Sequence, residues 1–327
     1  MRKTVRLRPL LFAAMAAAIP SPGAEEEELD RRPKDFAIIF QMGYATDAFP
    51  QGDEEFERVL DAAKRAHYNV ILCPYKKSRL ALCRKHGMRM MVDLLAAEHH
   101  VYKDTDAASA LCRSLQGEDG IYAYHLWSDR VGGTIAGRNR DVGNVHLWDP
   151  THACYVGDYQ AASIGGLTNP DLVGYYDFHW KRGGHWLHLN RAMRAAKERD
   201  ALFLKYTDGA PGRPGVGNRN RVLYTVSMSL AHGLKGYLFH HTGAEIDKST
   251  WEWQTLGEDL AAVNAEVAPL GSELMKIGLP TAVYSTPITK TAKDRPTGDP
   301  VPKVPAELVA IPPGFWVQVA AGEAVMG

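Results

Sequence analysis

Short apolar runs alternate with amphipathic stretches along most of this 327-residue chain. Parallel strands buried on both faces have such runs, and the helices that cover them supply the amphipathic stretches. Eight runs predict strands: Phe36–Met42, Asn69–Pro74, Met88–Leu94, Ile121–Trp127, Ala153–Gly157, Leu172–Phe178, Ala201–Tyr206 and Gly236–His241. Six stretches between them have helical spacing: Glu54–His67, Arg79–His86, Ala107–Leu115, Arg140–Leu147, Trp186–Arg199 and Arg219–His232.

This organisation predicts an α/β protein whose strands close into a (β/α)8 TIM barrel. The alternative, an open doubly wound sheet, usually carries a Gly-rich phosphate-binding turn after an early strand, and the sequence has no such turn. The connection Ser163–Pro170 is too short for an ordinary helix. We therefore expect the barrel to be somewhat irregular there.

A β-rich extension is predicted after the barrel. Helical spacing recurs over Glu258–Glu266, and the apolar runs Thr281–Ser285 and Phe315–Val319 predict strands on either side of a Pro-rich loop, Arg295–Pro313. Another strand begins at Val325, so we expect this β-rich segment to be partial.

The amino terminus has the pattern of a secretory signal peptide. Four basic residues precede an apolar run, Leu10–Ile19, and a segment of small residues and prolines ends at Ala24. The run has about half of the roughly 20 apolar residues that a membrane-spanning helix needs. We predict a signal peptide over 1–24, an acidic linker over 25–35, the barrel over 36–270 and the extension over 271–327. Export to the periplasm or the extracellular space follows, with no membrane attachment after cleavage.

Charge balance argues against a polyanionic partner. The chain has 38 Lys and Arg against 38 Asp and Glu, so no overall field attracts nucleic acid or an anionic membrane. We expect a neutral oligo- or polysaccharide as partner and no nucleic acid, and the sequence leaves the oligomeric state open.

The four cysteines do not indicate a disulfide framework or a zinc motif. Cys73 and Cys154 lie in predicted strands and are typical of core residues, and CxxC spacing is absent. A Cys83–Cys112 bridge stays open as an alternative.

On a TIM barrel, chemistry is built from residues near and beyond the carboxyl ends of the strands. Here those positions carry carboxylates, histidines and aromatic rings, and aromatic rings beside carboxylates suit the binding of sugars. Taken singly, each Asp also suits a turn or a helix cap. The candidate substrate-binding residues are Tyr44, Asp93, His125, Trp127, Arg130, Tyr159, Tyr176, His179, Trp180, His240, His241 and Glu245. We expect open ring faces on at least two of Trp127, Tyr176 and Trp180.

Four segments resemble secreted bacterial glycoside-hydrolase-like barrels of the retaining superfamily, whose catalytic carboxylates follow strands four and seven. The segments are Tyr124–Arg130, Asp149–His152, Tyr175–Asp177 and Ala231–Gly236. The resemblance covers roughly Phe36–Ser285. It implies a TIM barrel that hydrolyses glycosides with a pair of carboxylates.

The resemblance places Asp129 as the catalytic acid, with Asp208 as its favoured partner and Asp177 as the next candidate. Glu245 is a distant third. One carboxylic acid protonates the leaving oxygen, while a second carboxylate attacks the anomeric carbon or activates water. Asp129 and Asp208 stand where the family has glutamates, and each shorter side chain withdraws its carboxyl group by about one bond, a displacement that can cost about 100-fold in rate.

Two other functions remain open. A non-catalytic carbohydrate-binding barrel is consistent with the absence of both family glutamates. A metal-dependent hydrolase would use histidines, but such barrels generally carry an HxH pair on the first strand, where this chain reads Ile38-Ile39-Phe40-Gln41. We expect neither a cofactor nor a metal at the strand ends.

Overall fold

The computed structural model describes residues 30–42, 50, 52–96, 99–127, 133–158, 160–176, 185–208, 219–240, 245–247, 249–287, 304, 308–313 and 325–326. The chain divides into two compact units, Met1–Asp30 and Arg31–Gly327, and the fold below belongs to the second. Within these residues, none of the helices has the length and apolar character needed to cross a membrane.

Eight parallel strands close into a barrel in chain order, which confirms the predicted TIM barrel. They are β1 (Ala37–Gln41), β2 (Val70–Cys73), β3 (Arg89–Asp93), β4 (Ile121–Trp127), β5 (Ala153–Asp158), β6 (Leu172–Tyr176), β7 (Leu202–Asp208) and β8 (Gly236–His240). β1 pairs with both β2 and β8, so the barrel is closed at this seam.

Helices alternate with these strands, as the spacing predicts. They are α1 (Asp53–Arg65), α2 (Lys77–Lys85), α3 (Thr105–Ser114), α4 (Ile135–Trp148), α5 (Ala161–Gly165), α6 (His185–Glu198), α7 (Arg219–Ala231), α8 (Thr255–Val267) and α9 (Gly271–Lys276). α4 begins earlier than predicted because Thr134 caps it by accepting the Gly137 N–H. α5 has only 5 residues, in agreement with the short connection between β5 and β6.

Alternate strand residues enter two separate buried layers. Ala37 and Ile39 of β1 belong to the cluster inside the barrel. Ile38 and Phe40 belong to the cluster between the strands and the helices. Both faces of β1 are therefore apolar up to Gln41, which is why the strand appears in sequence as an apolar run.

A small sheet follows the barrel. β9 (Tyr284–Ser285) pairs with β10 (Val309–Ala310) in parallel and with β11 (Val325–Met326) in antiparallel. β10 lies inside the segment expected to be a Pro-rich loop, so that expectation is wrong at these two residues. The predicted strand Phe315–Val319 lies outside the described residues.

All four cysteines are buried and free, which excludes the Cys83–Cys112 bridge in this structure. Burial raises the pKa of both thiols to about 12. They are protonated at neutral pH and pack as small apolar side chains.

Candidate active site at the carboxyl ends of the strands

A carboxylate–imidazole pair lies on adjacent strands near their carboxyl ends. The parallel register sets Asp93 of β3 beside His125 of β4, and Asp93 Oδ1 lies 3.0 Å from His125 Nδ1. His125 is fully buried and Asp93 is 8% exposed. The same carboxylate oxygen accepts the Leu95 N–H at 3.1 Å, so the turn after β3 also holds it in place.

Three tyrosines extend this polar surface around the inside of the barrel. The rings of His125 and Tyr155 have centroids 5.4 Å apart. Tyr176 of β6 stacks on Tyr206 of β7 at a centroid distance of 4.1 Å, and the Tyr206 hydroxyl donates to Gln41 Oε1. All three tyrosines belong to the inner layer, so hydroxyl, imidazole and carboxylate groups share the barrel interior.

Two inner glycines leave room for these rings. A Cβ atom on Gly157 would lie 2.5 Å from Cε2 of Tyr176, and one on Gly174 would overlap the hydroxyl group of Tyr155. Any larger residue at these two positions would therefore have to displace a buried tyrosine.

Trp127 is covered rather than open. Its ring stacks on Tyr102 at 5.3 Å, and the guanidinium of Arg138 lies 5.2 Å from its centroid. Arg138 also pairs with buried Asp158 of β5. Trp127 is 3% exposed and Tyr176 is 1% exposed. The expectation that at least two of Trp127, Tyr176 and Trp180 have open ring faces is therefore wrong.

Glu245 lies on the other side of the barrel wall, in the connection between β8 and α8. Its Oε2 is 3.5 Å from the Tyr68 hydroxyl, and Tyr68 packs against Phe40 and Trp253 at 5.2 and 6.1 Å. Tyr68 and Phe40 belong to the layer between strands and helices. Glu245 is fully buried there, and this burial raises its pKa to about 8. The structure therefore corrects its prediction as a substrate-binding residue.

Comparison with known proteins identifies the fold. No protein-family model and no curated protein sequence matches this chain. Among solved structures it is similar to the endo-β-1,4-mannanase of Thermotoga petrophila, with a TM-score of 0.53, 12% identity and 79% of this chain and 81% of that chain covered. It is also similar to a putative α-L-fucosidase of Bacteroides thetaiotaomicron, with a TM-score of 0.53 and 10% identity. That match covers 80% of this chain and 100% of the fucosidase chain. A third similar structure is cellulose synthase subunit Z of Clostridioides difficile, with a TM-score of 0.52 and 10% identity. That match covers 70% of this chain and 99% of the subunit. The chain has the fold of the glycoside-hydrolase barrels.

Several predicted site residues of this barrel lie outside the described residues. They are Tyr44, Asp129, Arg130, Tyr159, Asp177, His179, Trp180 and His241. Asp208 and His240 end β7 and β8 and are partners in the strand register, but their side chains are not among those described. The grouping of Asp129, Asp177 and Asp208 therefore stays a prediction.

Sequence reasoning missed three polar residues of the interior, namely Gln41, Tyr155 and Tyr206. Tyr206 lies two residues before Asp208, and residues two apart on a strand share a face. Counting back by two from each predicted strand-end residue would have identified it.

A separate cleft of about 610 Å³ opens at the opposite end of the barrel. One part of its lining precedes or begins strands, and another part belongs to α9 or immediately precedes it. The first part includes Lys34, Asp35, Asn69 and Arg89, and the second includes Ser272 and Lys276. Arg89 pairs with Asp35 at 2.8 Å across it. Catalysis on this fold uses the carboxyl ends of the strands, so this cleft does not mark the candidate active site.

Proposed function

We propose that this chain is an exported glycoside hydrolase that acts on a neutral oligo- or polysaccharide. One observation carries the proposal: a carboxylate, an imidazole and three tyrosines share the interior of a barrel whose fold is that of glycoside hydrolases. These groups are buried, so in this proposal they form the ordered base of the site, and the substrate is contacted by residues at the rim above them.

Catalysis in this proposal uses two carboxylates. Asp129, which follows β4, protonates the leaving oxygen, and Asp208, the last residue of β7, attacks the anomeric carbon or activates water. Asp177, which follows β6, is the alternative partner of Asp129. Asp129 and Asp177 follow β4 and β6, Asp208 ends β7, and the carboxyl ends of these strands all open toward the same face of the barrel.

The described residues have supporting roles. The contact between Asp93 and His125 fixes the ring of His125 at the base of the site, 5.4 Å from the ring of Tyr155. Trp127 is held by Tyr102 and Arg138, so it positions the segment that leads to Asp129 instead of stacking on sugar. The rim residues Tyr44, Arg130, Tyr159, His179, Trp180, His240 and His241 contact the substrate in this proposal.

A non-catalytic carbohydrate-binding barrel is the second candidate, and the aspartates in place of both family glutamates favour it. Hydrolysis assays on a panel of glycans, run beside binding measurements on the same panel, separate the two. Cleavage that is lost in both Asp129→Asn and Asp208→Asn, but kept in Asp119→Asn at the opposite end of the barrel, supports the hydrolase. Binding without cleavage across the panel supports the second candidate, and neither binding nor cleavage contradicts both.

A further inference from the structure

Three metal-ligating side chains of different types meet near the amino-terminal end of β5, away from the candidate active site. His146 lies in the last turn of α4, Cys154 is the second residue of β5, and Asp171 immediately precedes β6. One ligand atom from each lies within 4.8 Å of the other two. No sequence motif connects them, because they come from three different elements.

Asp171 is held in one orientation by its neighbours. Its Oδ2 lies 2.7 Å from His146 Nε2 and accepts the Cys154 N–H at 2.7 Å, while Oδ1 is 3.4 Å from Arg31 Nε. One carboxylate oxygen therefore faces the imidazole and β5, and the other faces the guanidinium. An outer partner that orients a liganding carboxylate in this way is a usual feature of metal sites.

Burial closes this cluster on one side only. Cys154 is fully buried, whereas the side chains of His146 and Asp171 keep 13% and 9% of their surface exposed. A metal ion bound here would have three protein ligands and one direction open to water. This matches a four-coordinate arrangement with water as the fourth ligand.

His146 and Asp171 already contact each other, and the sulfur of Cys154 lies within 4.8 Å of a ligand atom from each. A divalent ion that binds to the sulfur of Cys154 displaces the thiol proton to solvent, and the thiolate, imidazole and carboxylate then form a donor set suited to Zn²⁺. Ligands of a tetrahedral zinc lie roughly 3.2 to 3.8 Å apart, so the three groups need to move by only about 1 Å.

We infer that His146, Cys154 and Asp171 form a Zn²⁺ site that joins α4, β5 and the start of β6. The site lies at the end of the barrel opposite the candidate active site, so it is separate from the proposed glycoside cleavage.

Titration of the purified, reduced chain with Co²⁺, a spectroscopic substitute for Zn²⁺, tests the inference. We expect a thiolate-to-cobalt charge-transfer band that saturates at one ion per chain and is abolished by stoichiometric Zn²⁺. The band is lost in Cys154→Ser and kept in Cys83→Ser, which removes a buried thiol elsewhere in the chain. His146→Gln lowers zinc affinity at least roughly 10-fold, the lower end of what loss of an outer partner costs.

The wild-type spectrum tests the site whether or not a variant folds. Absence of the thiolate band at saturating Co²⁺ overturns the inference, and so does a band that persists in Cys154→Ser. Circular dichroism of each variant shows whether a lost band reflects a lost ligand or a lost fold. If Cys154→Ser does not fold, the wild-type band and its competition by Zn²⁺ decide.

Discussion

The side chains of Asp93 and His125 touch at 3.0 Å although 32 residues separate them in sequence. The register between β3 and β4 sets them side by side, and both are buried inside the barrel. A fixed pair of this kind forms a rigid base for the candidate site, because its side chains are already ordered.

Replacing Asp93 with Asn removes the charge that faces the His125 ring. We expect a loss of about 1 to 3 kcal/mol in the free energy of unfolding, because a buried polar group loses a charged partner. Glycan affinity should change by less than about 10-fold, the equivalent of about 1.4 kcal/mol, because both side chains are buried beneath the rim residues. Urea denaturation and calorimetric titration measure the two effects, with Asp119→Asn as the exposed control. Unchanged stability would show that the pair is not a strong contact.

Replacing Asp129 with Asn keeps the shape of the side chain but removes its ability to donate a proton. Turnover should fall by about 100- to 10,000-fold with little change in glycan affinity. Substrates whose leaving group needs no protonation should be spared in the bond-breaking step. Near-normal turnover of an unactivated glycan by this variant would mean that the acid is Asp177 or Asp208.

Replacing Gly174 with Ala places a methyl group where the Tyr155 hydroxyl lies. Overpacking of this kind typically costs about 1 to 3 kcal/mol of folding stability. Tyr155→Phe removes the overlapping oxygen, so Gly174→Ala should cost less in that background than in the wild type. A double-mutant cycle by denaturation checks this, and strictly additive costs would contradict this packing.

Glu245 should make stability fall as the pH rises. Its pKa is about 8 in the folded chain against 4.5 for an ordinary glutamate, because burial disfavours the ionised form. Below pH 4.5 the Glu245 carboxyl group is protonated in both the folded and the unfolded state, so it causes no loss of folding stability. Between 4.5 and 8 the unfolded state releases it first, so stability falls by about 1.4 kcal/mol per pH unit, and it levels off above 8.

Glu245→Gln should therefore be more stable than the wild type near pH 8, with the difference shrinking toward pH 4.5. Denaturation curves across this range measure it. Glu258→Gln, which changes an exposed residue of the nearby helix α8, should show no comparable trend. A Glu245→Gln difference that is independent of pH would mean that the carboxyl group ionises normally.

Expression of the full chain in a bacterial host tests export. The predicted signal peptide should be removed after Ala24, so amino-terminal sequencing of the exported protein should begin at Glu25. Retention of the uncleaved chain in the cytoplasm would contradict the prediction.

The barrel itself was determined by local patterns in the sequence. Ile121–Trp127 was predicted with the bounds that β4 has, because a strand buried on both faces is apolar at every position and ends where polarity returns. Direct succession of strands and helices then leaves few topologies, and the closed barrel is one of them.

Contacts between distant residues were decided by the tertiary structure alone. Glu245 comes only a few residues after His240, the last residue of β8, yet it lies in the layer between strands and helices. There its carboxyl group is near the hydroxyl group of Tyr68, which is 177 residues away in sequence. The position of Trp127 at a strand end predicted a ring face open to a sugar, but Tyr102 and Arg138 cover the ring. The physical reason is that the burial and pairing of a side chain depend on which helices and loops pack over the strand end. The periodicity of a strand is a local pattern and does not specify those tertiary neighbours.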